Sequence, residues 1–63
     1  MKFYHKWLLG KTERNPGKLA WLIKKEAVMF KNPLAFELLR MTGDKEYTDK
    51  TFKEAAKYLL NLK

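Results

Sequence analysis

The sequence has no cysteine and no serine, a single histidine, and only three glycines, which stand far apart. Without cysteine there are no disulfides and no thiolate metal sites, and one histidine does not furnish the usual zinc ligand sets. A hydrolytic triad would need His5 to be oriented by an acid and to face a serine that the chain does not have. Scattered glycines make no Gly-rich phosphate loop. No apolar run approaches the roughly 20 residues of a membrane span, and the opening residues lack the apolar core of a signal peptide. These absences lead us to expect a soluble cytoplasmic protein that is not an enzyme and uses no metal or cofactor.

What is present is charge of one sign and aromatic bulk. Among the 63 residues, 14 are Lys or Arg and 7 are Asp or Glu, a net charge of +7. The excess is uneven: residues 1–31 hold eight basic and two acidic side chains, for +6, whereas residues 32–63 hold six and five, for +1. A basic half favours nucleic acid or an acidic protein surface as partner. The length fits one domain, residues 1–63. Such a chain buries only about 60% of its unfolded surface, so it needs dense packing or a partner in place of disulfides. The nine aromatics (Phe3, Tyr4, Trp7, Trp21, Phe30, Phe36, Tyr47, Phe52, Tyr58) suit the first of these, at about 150–250 Å² buried apiece.

The periodicity predicts four helices and no strand. In the first, about Lys2 to Leu9, Phe3, Tyr4, Trp7 and Leu8 share a face, Lys2 and Lys6 fall opposite, His5 lies on or beside the polar side, and Gly10 is placed as the left-handed stop. Asn-Pro occurs at Asn15-Pro16 and Asn32-Pro33, an N-cap followed by proline at the first helical position. A second helix is therefore expected from Pro16 or Lys18 to Phe30, and a third from Pro33 to Met41 or Thr42, closed by Gly43. After the polar stretch 43–50, Thr51 with Glu54 matches a capping box, and Thr48 or Asp49 offers a start one turn earlier. Phe52, Ala55, Ala56, Leu59 and Leu60 make the inner stripe of this fourth helix, with Lys53, Lys57 and Asn61 in water. The expected core is Phe3, Trp7, Leu8, Leu19, Ile23, Phe30, Leu38, Phe52, Ala55, Ala56 and Leu59.

The second helix carries more apolar surface than one core needs. Leu19, Ile23, Ala27 and Phe30 form one face, while Trp21 and Val28 lie nearly opposite. Lys24 and Lys31 flank them on one border, Lys18 and Lys25 on the other. Either Trp21 is sandwiched inside the fold, or it is exposed among lysines and available to a base, with the lysines on phosphates, or to a protein interface. Just before this helix, Lys11, Arg14, Gly17 and Lys18 bring basic groups to a helix N-terminus, a place that attracts phosphate. The pair Glu46 and Asp49 reads as loop solvation and helix capping.

Phe3-Tyr4 with Trp7-Leu8, then Arg14, Pro16, Gly17, Leu19 and Ala20, resemble the opening of the YozE-like family, small proteins of Gram-positive bacteria and their phages. The stretch TFKEAAKYL is similar to that family's last helix, and Phe30-Lys31-Asn32-Pro33 to its mid-chain Phe-Pro element. The chain departs from the family in the basic second helix (Lys24, Lys25, Lys31) and in Ala56, where an aromatic is frequent. The resemblance implies an all-α, compact four-helix bundle of the sterile alpha motif type (SAM-like), no known enzymatic chemistry, and a setting in phage or mobile-element DNA metabolism.

The sequence thus leads to a non-enzymatic accessory protein that binds nucleic acid, DNA ahead of RNA, through its basic N-terminal half. Lys11, Arg14, Lys18, Lys24 and Lys25 would contact phosphates, and Trp21 would stack. The alternative is a small adaptor that docks on a replication enzyme such as a polymerase or primase, or masks a host protein. There Trp21, Val28 and Met29 would be the interface anchors and the lysines a polar rim.

Overall fold

Each Asn-Pro pair starts a helix. In the computed structural model, which describes residues 2–62, the Asn15 side chain accepts from the Lys18 N–H at 3.0 Å and the Asn32 side chain from the Leu34 N–H at 3.0 Å. These bonds satisfy N–H groups that helix starts leave without partners. The chain forms four helices, α1 (Phe3–Lys11), α2 (Pro16–Val28), α3 (Pro33–Arg40) and α4 (Asp49–Leu60), and no strand among the described residues. This is an all-α four-helix bundle. α2 packs most extensively against α4, and the other helices close around that pair.

The core is aliphatic. Leu8, Leu9, Leu19, Ile23, Ala27, Ala35, Leu38, Leu39, Ala55, Ala56 and Leu59 are buried, with Phe52 the one fully enclosed aromatic. Eight of the eleven expected core residues lie here, and three do not: Phe3, Trp7 and Phe30 are 90%, 45% and 60% exposed. Dense aromatic packing is therefore not what holds this fold together. Complete burial of each Leu or Ile contributes about 1.5–3 kcal/mol.

Phe3 and Trp7 are outside because α1 sits one residue step around from its expected setting. Its inner stripe is His5, Leu8, Leu9 and Thr12, an i, i+3, i+4, i+7 row. The expected exposure of His5 is corrected with it: the imidazole is buried. A helix with large apolar side chains on more than one side does not choose its face by pattern. Close packing chooses it, and against α2 and α4 it encloses Leu8 and Leu9.

Gly10 is not the stop either. It lies inside α1, which runs on to Lys11 and caps at Thr12. The Thr12 hydroxyl donates to the Leu8 carbonyl at 2.9 Å. The Arg14 N–H reaches the Leu9 carbonyl at 3.0 Å and the Glu13 N–H the Gly10 carbonyl at 3.3 Å. This is the Schellman closure, here made with φ of 53° at Glu13 and 59° at Arg14. Gly43, by contrast, has φ of 79°, just past α3.

Phe30 is outside because α2 ends at Val28, two residues before its expected end. Lys31 takes φ of 50°, and the turn it makes delivers Asn32 to the start of α3. The same turn anchors a buried carboxylate. Glu26 Oε1 accepts from the Tyr4 hydroxyl at 3.1 Å and from Asn32 Nδ2 at 3.2 Å, so α1, α2 and the α3 cap meet at one group. Burial, with the Glu26 charge and hydrogen bond, pushes the Tyr4 phenol well above its ordinary range.

α4 uses its earlier start. Thr48 is the N-cap and Asp49 the first helical residue. Thr51, expected as the cap, is fully buried: its hydroxyl accepts from the Thr48 N–H at 3.2 Å and donates to the Glu46 carbonyl at 2.6 Å. The extra turn places the Asp49 charge at the positive end of the helix without altering the Phe52–Leu59 stripe.

Candidate nucleic-acid interface

Trp21 stands on the outer face of α2 and is 60% exposed, which decides between the two placements that the sequence left open. The face is built by helix spacing. Lys18, Trp21, Lys25 and Val28 follow one another at three or four residues, so their side chains are neighbours. Lys25 Nζ sits 5.0 Å from the Trp21 ring centroid, within cation–π range.

Trp21 separates three shallow hollows. One, of about 400 Å³, is lined by Lys11, Thr12, Lys18, Trp21, Leu22 and Lys25. A second, of about 120 Å³, is lined by Trp21, Lys24, Lys25, Val28 and Met29. The third, of about 210 Å³, lies toward α4 and includes Lys24, Asp49, Phe52 and Lys53. The fold thus gathers Lys11, Lys18, Lys24 and Lys25 around Trp21, and brings Val28 and Met29, 56% and 68% exposed, to the same edge.

Two of the expected phosphate contacts are differently engaged. Arg14 faces away from the Trp21 hollows, and its Nη2 donates to the Leu60 carbonyl at 3.3 Å. That carbonyl is at the negative end of α4, where a cation is favourable. Arg14 instead lines a separate open hollow of about 510 Å³ with Lys6, Leu9, Gly10 and Glu13. Although larger, that hollow carries Glu13 beside its cations, so it offers anions less. Lys24 Nζ lies 3.5 Å from Asp49 Oδ1, an exposed pair. The anticipated seat at the start of α2 is divided, since Asn15 already occupies the Lys18 N–H and Arg14 turns to α4.

The structure adds Phe30, a residue that the helical pattern places in the core. Lys25 Nζ lies 5.8 Å from its ring centroid, so one ammonium faces both Trp21 and Phe30. The signal that points to Phe30 is Asn32-Pro33: a helix starting there obliges the preceding one to end early enough for a turn, and that turn takes residue 30 off the stripe. Phe3 and Trp7 form a further exposed aromatic region on α1, where Trp7 stacks on Tyr4 with centroids 6.0 Å apart.

His5 is buried beside Lys2, Tyr4, Leu34, Glu37 and Met41. Burial lowers its pKa, the Lys2 charge lowers it further, and Glu37 opposes them. Among the described residues, no group of three or more His, Cys, Asp or Glu side chains could hold a metal ion, and no helix is long and apolar enough to cross a membrane. Compared with protein-family models, curated proteins and solved structures, the chain matches none.

Proposed function

We propose that this protein binds nucleic acid through the α2 face centred on Trp21. The observation that carries the reading is the exposed indole set among Lys11, Lys18, Lys24 and Lys25. Lysines neutralise phosphates and release condensed counterions, while an exposed indole stacks on a base. The resemblance to the YozE-like family is compatible with this role, and a SAM-like fold serves nucleic-acid and protein partners alike, so the choice rests on the site.

Anisotropy titrations of labelled DNA and RNA over a range of salt test it. If the four lysines each neutralise one phosphate, log K falls against log salt with a slope of about −2.8 on a single strand and about −3.6 on a duplex. The Lys24→Glu/Lys25→Glu variant loses most of the affinity. Absent or salt-insensitive binding overturns the reading.

A second reading has its own support in Val28 and Met29, exposed at the edge of the Trp21 surface. An apolar centre with a lysine rim suits an acidic protein, such as a replication enzyme on which a small adaptor docks. Val28→Ser separates the two: it weakens adaptor binding by removing an apolar anchor and, adding no charge beside Lys24 and Lys25, leaves salt-dependent DNA binding in place.

A further inference from the structure

We infer that the ligand of this face is a single strand with splayed bases, and that Phe30 is its second stacking residue. The inference rests on the nucleic-acid reading above and adds the class of ligand.

Lys25 Nζ lies 5.0 Å from the Trp21 centroid and 5.8 Å from the Phe30 centroid, so the two rings stand no further apart than the sum of those distances, 10.8 Å. Both rings are 60% exposed. Two large aromatics held open to solvent around one cation match what a single strand offers: flat bases, with a phosphate between them. A duplex hides the faces of its bases at a stacking distance of about 3.4 Å, and leaves exposed rings of this kind nothing to stack on. Base stacking displaces the Lys25 ammonium from the rings, and the phosphate between the bases receives it. Lys11 and Lys18, in the hollow beyond Trp21, continue the basic track along the strand. The charge complementarity is strong, because residues 1–31 carry a net +6.

Phe30 sits in the turn after α2, 60% exposed and outside the buried core. The turn that exposes it also brings its ring to the same ammonium as the other stacking candidate.

The test compares labelled oligo(dT) and oligo(rU) of about 12 nucleotides, within the span of small single-strand sites, with a duplex of equal length at low salt. Wild type, Trp21→Ala, Phe30→Ala and Lys25→Met proteins are used, with helicity checked by circular dichroism. We expect the single strands to bind at least tenfold more tightly than the duplex. Each aromatic substitution weakens single-strand binding by about five- to 150-fold, the range that base–aromatic stacking gives, and changes duplex binding less than twofold. Tighter binding of oligo(dT) or of oligo(rU) identifies the strand as DNA or RNA, and either supports the inference. Salt-sensitive duplex binding that equals or exceeds single-strand binding overturns this inference and leaves the broader reading standing. So does a folded Phe30→Ala protein that binds oligo(dT) as wild type does. Failure to bind any of the three ligands overturns both.

Discussion

The Tyr4 hydroxyl donates to Glu26 Oε1 at 3.1 Å across the interface of α1 and α2. The bond ties the first helix to a buried carboxylate that also holds Asn32, the cap of α3. Removing the hydroxyl costs a charge-assisted hydrogen bond, worth about 1.5–3 kcal/mol. Tyr4 is only partly buried, so water recovers some of that loss. Tyr4→Phe is expected to lower stability by about 1–2 kcal/mol in urea unfolding, and an unchanged midpoint would show that the bond contributes nothing.

His5 gives stability a dependence on pH. Its folded pKa lies below the ordinary 6.5, through burial first and the Lys2 charge next. Between the two values the unfolded chain binds more protons than the native one, so stability rises with pH across that window. The contribution is complete above 6.5 and is lost as pH falls toward the folded value. The charged groups acting on the ring are Lys2 and the N-terminal ammonium, which lower its pKa, and Glu37, which opposes them, with the Tyr4 phenol alongside. Subtracting the stability profile of His5→Leu from that of wild type isolates the step from carboxylate titration. A flat difference across this window would exclude it.

Two substitutions should stabilise α1. Gly10 is helical, and a Cβ there meets nothing within 4 Å, so Gly10→Ala gains about 0.5–1 kcal/mol. Glu13 holds φ of 53°, a setting in which glycine is free of strain. Glu13→Gly should gain a similar amount. For a domain of this size each kcal/mol raises Tm by about 4–8 °C in a thermal melt. A lower Tm for Gly10→Ala would contradict the helix running through this position.

The register of α1 is open to a direct comparison. Phe3 is 90% exposed and Leu8 fully buried. Phe3→Ser should change stability by less than about 0.5 kcal/mol. Leu8→Ala should cost about 2–5 kcal/mol, enough to unfold much of a marginal domain. The reverse order would restore the aromatic face to the core.

Lys24 and Asp49 lie 3.5 Å apart on the rim of the proposed interface. Their pairing is solvent-exposed and contributes little to stability. Asp49→Asn should leave the fold nearly as stable, with a small loss at the α4 N-terminus. It also releases Lys24 for phosphate and removes a like charge from the path of the ligand. Affinity for nucleic acid is expected to rise roughly two- to fivefold at low salt, with the gain fading as salt screens it. Unchanged affinity in a titration would place Lys24 outside the interface.

The candidate site was legible where it depended on local spacing. Lys18, Trp21, Lys24, Lys25 and Val28 share a helix, and helical geometry alone brings them side by side. It was not legible where it depended on the turns. Arg14 was drawn to α4 by a carbonyl 46 residues away, and Phe30 was freed by a helix end that two left-to-right neighbours, Lys31 and Asn32, imposed together. Glu26 had no signal at all, because its partners come from α1 and from the cap of α3.

The sequence by itself determined the four helices, both Asn-Pro starts, the inner stripe of α4 and the basic first half, since capping, periodicity and charge act over a few residues or by simple sum. Only the tertiary structure decided which face of α1 turned inward. That helix carries large apolar side chains on more than one side, and packing against α2 and α4 enclosed Leu8 and Leu9 and left Phe3 and much of Trp7 exposed. The exposure of Trp21 was decided in the same way: the bundle buries the Leu19–Ile23–Ala27 side of α2 and leaves Trp21 and Val28 in the open.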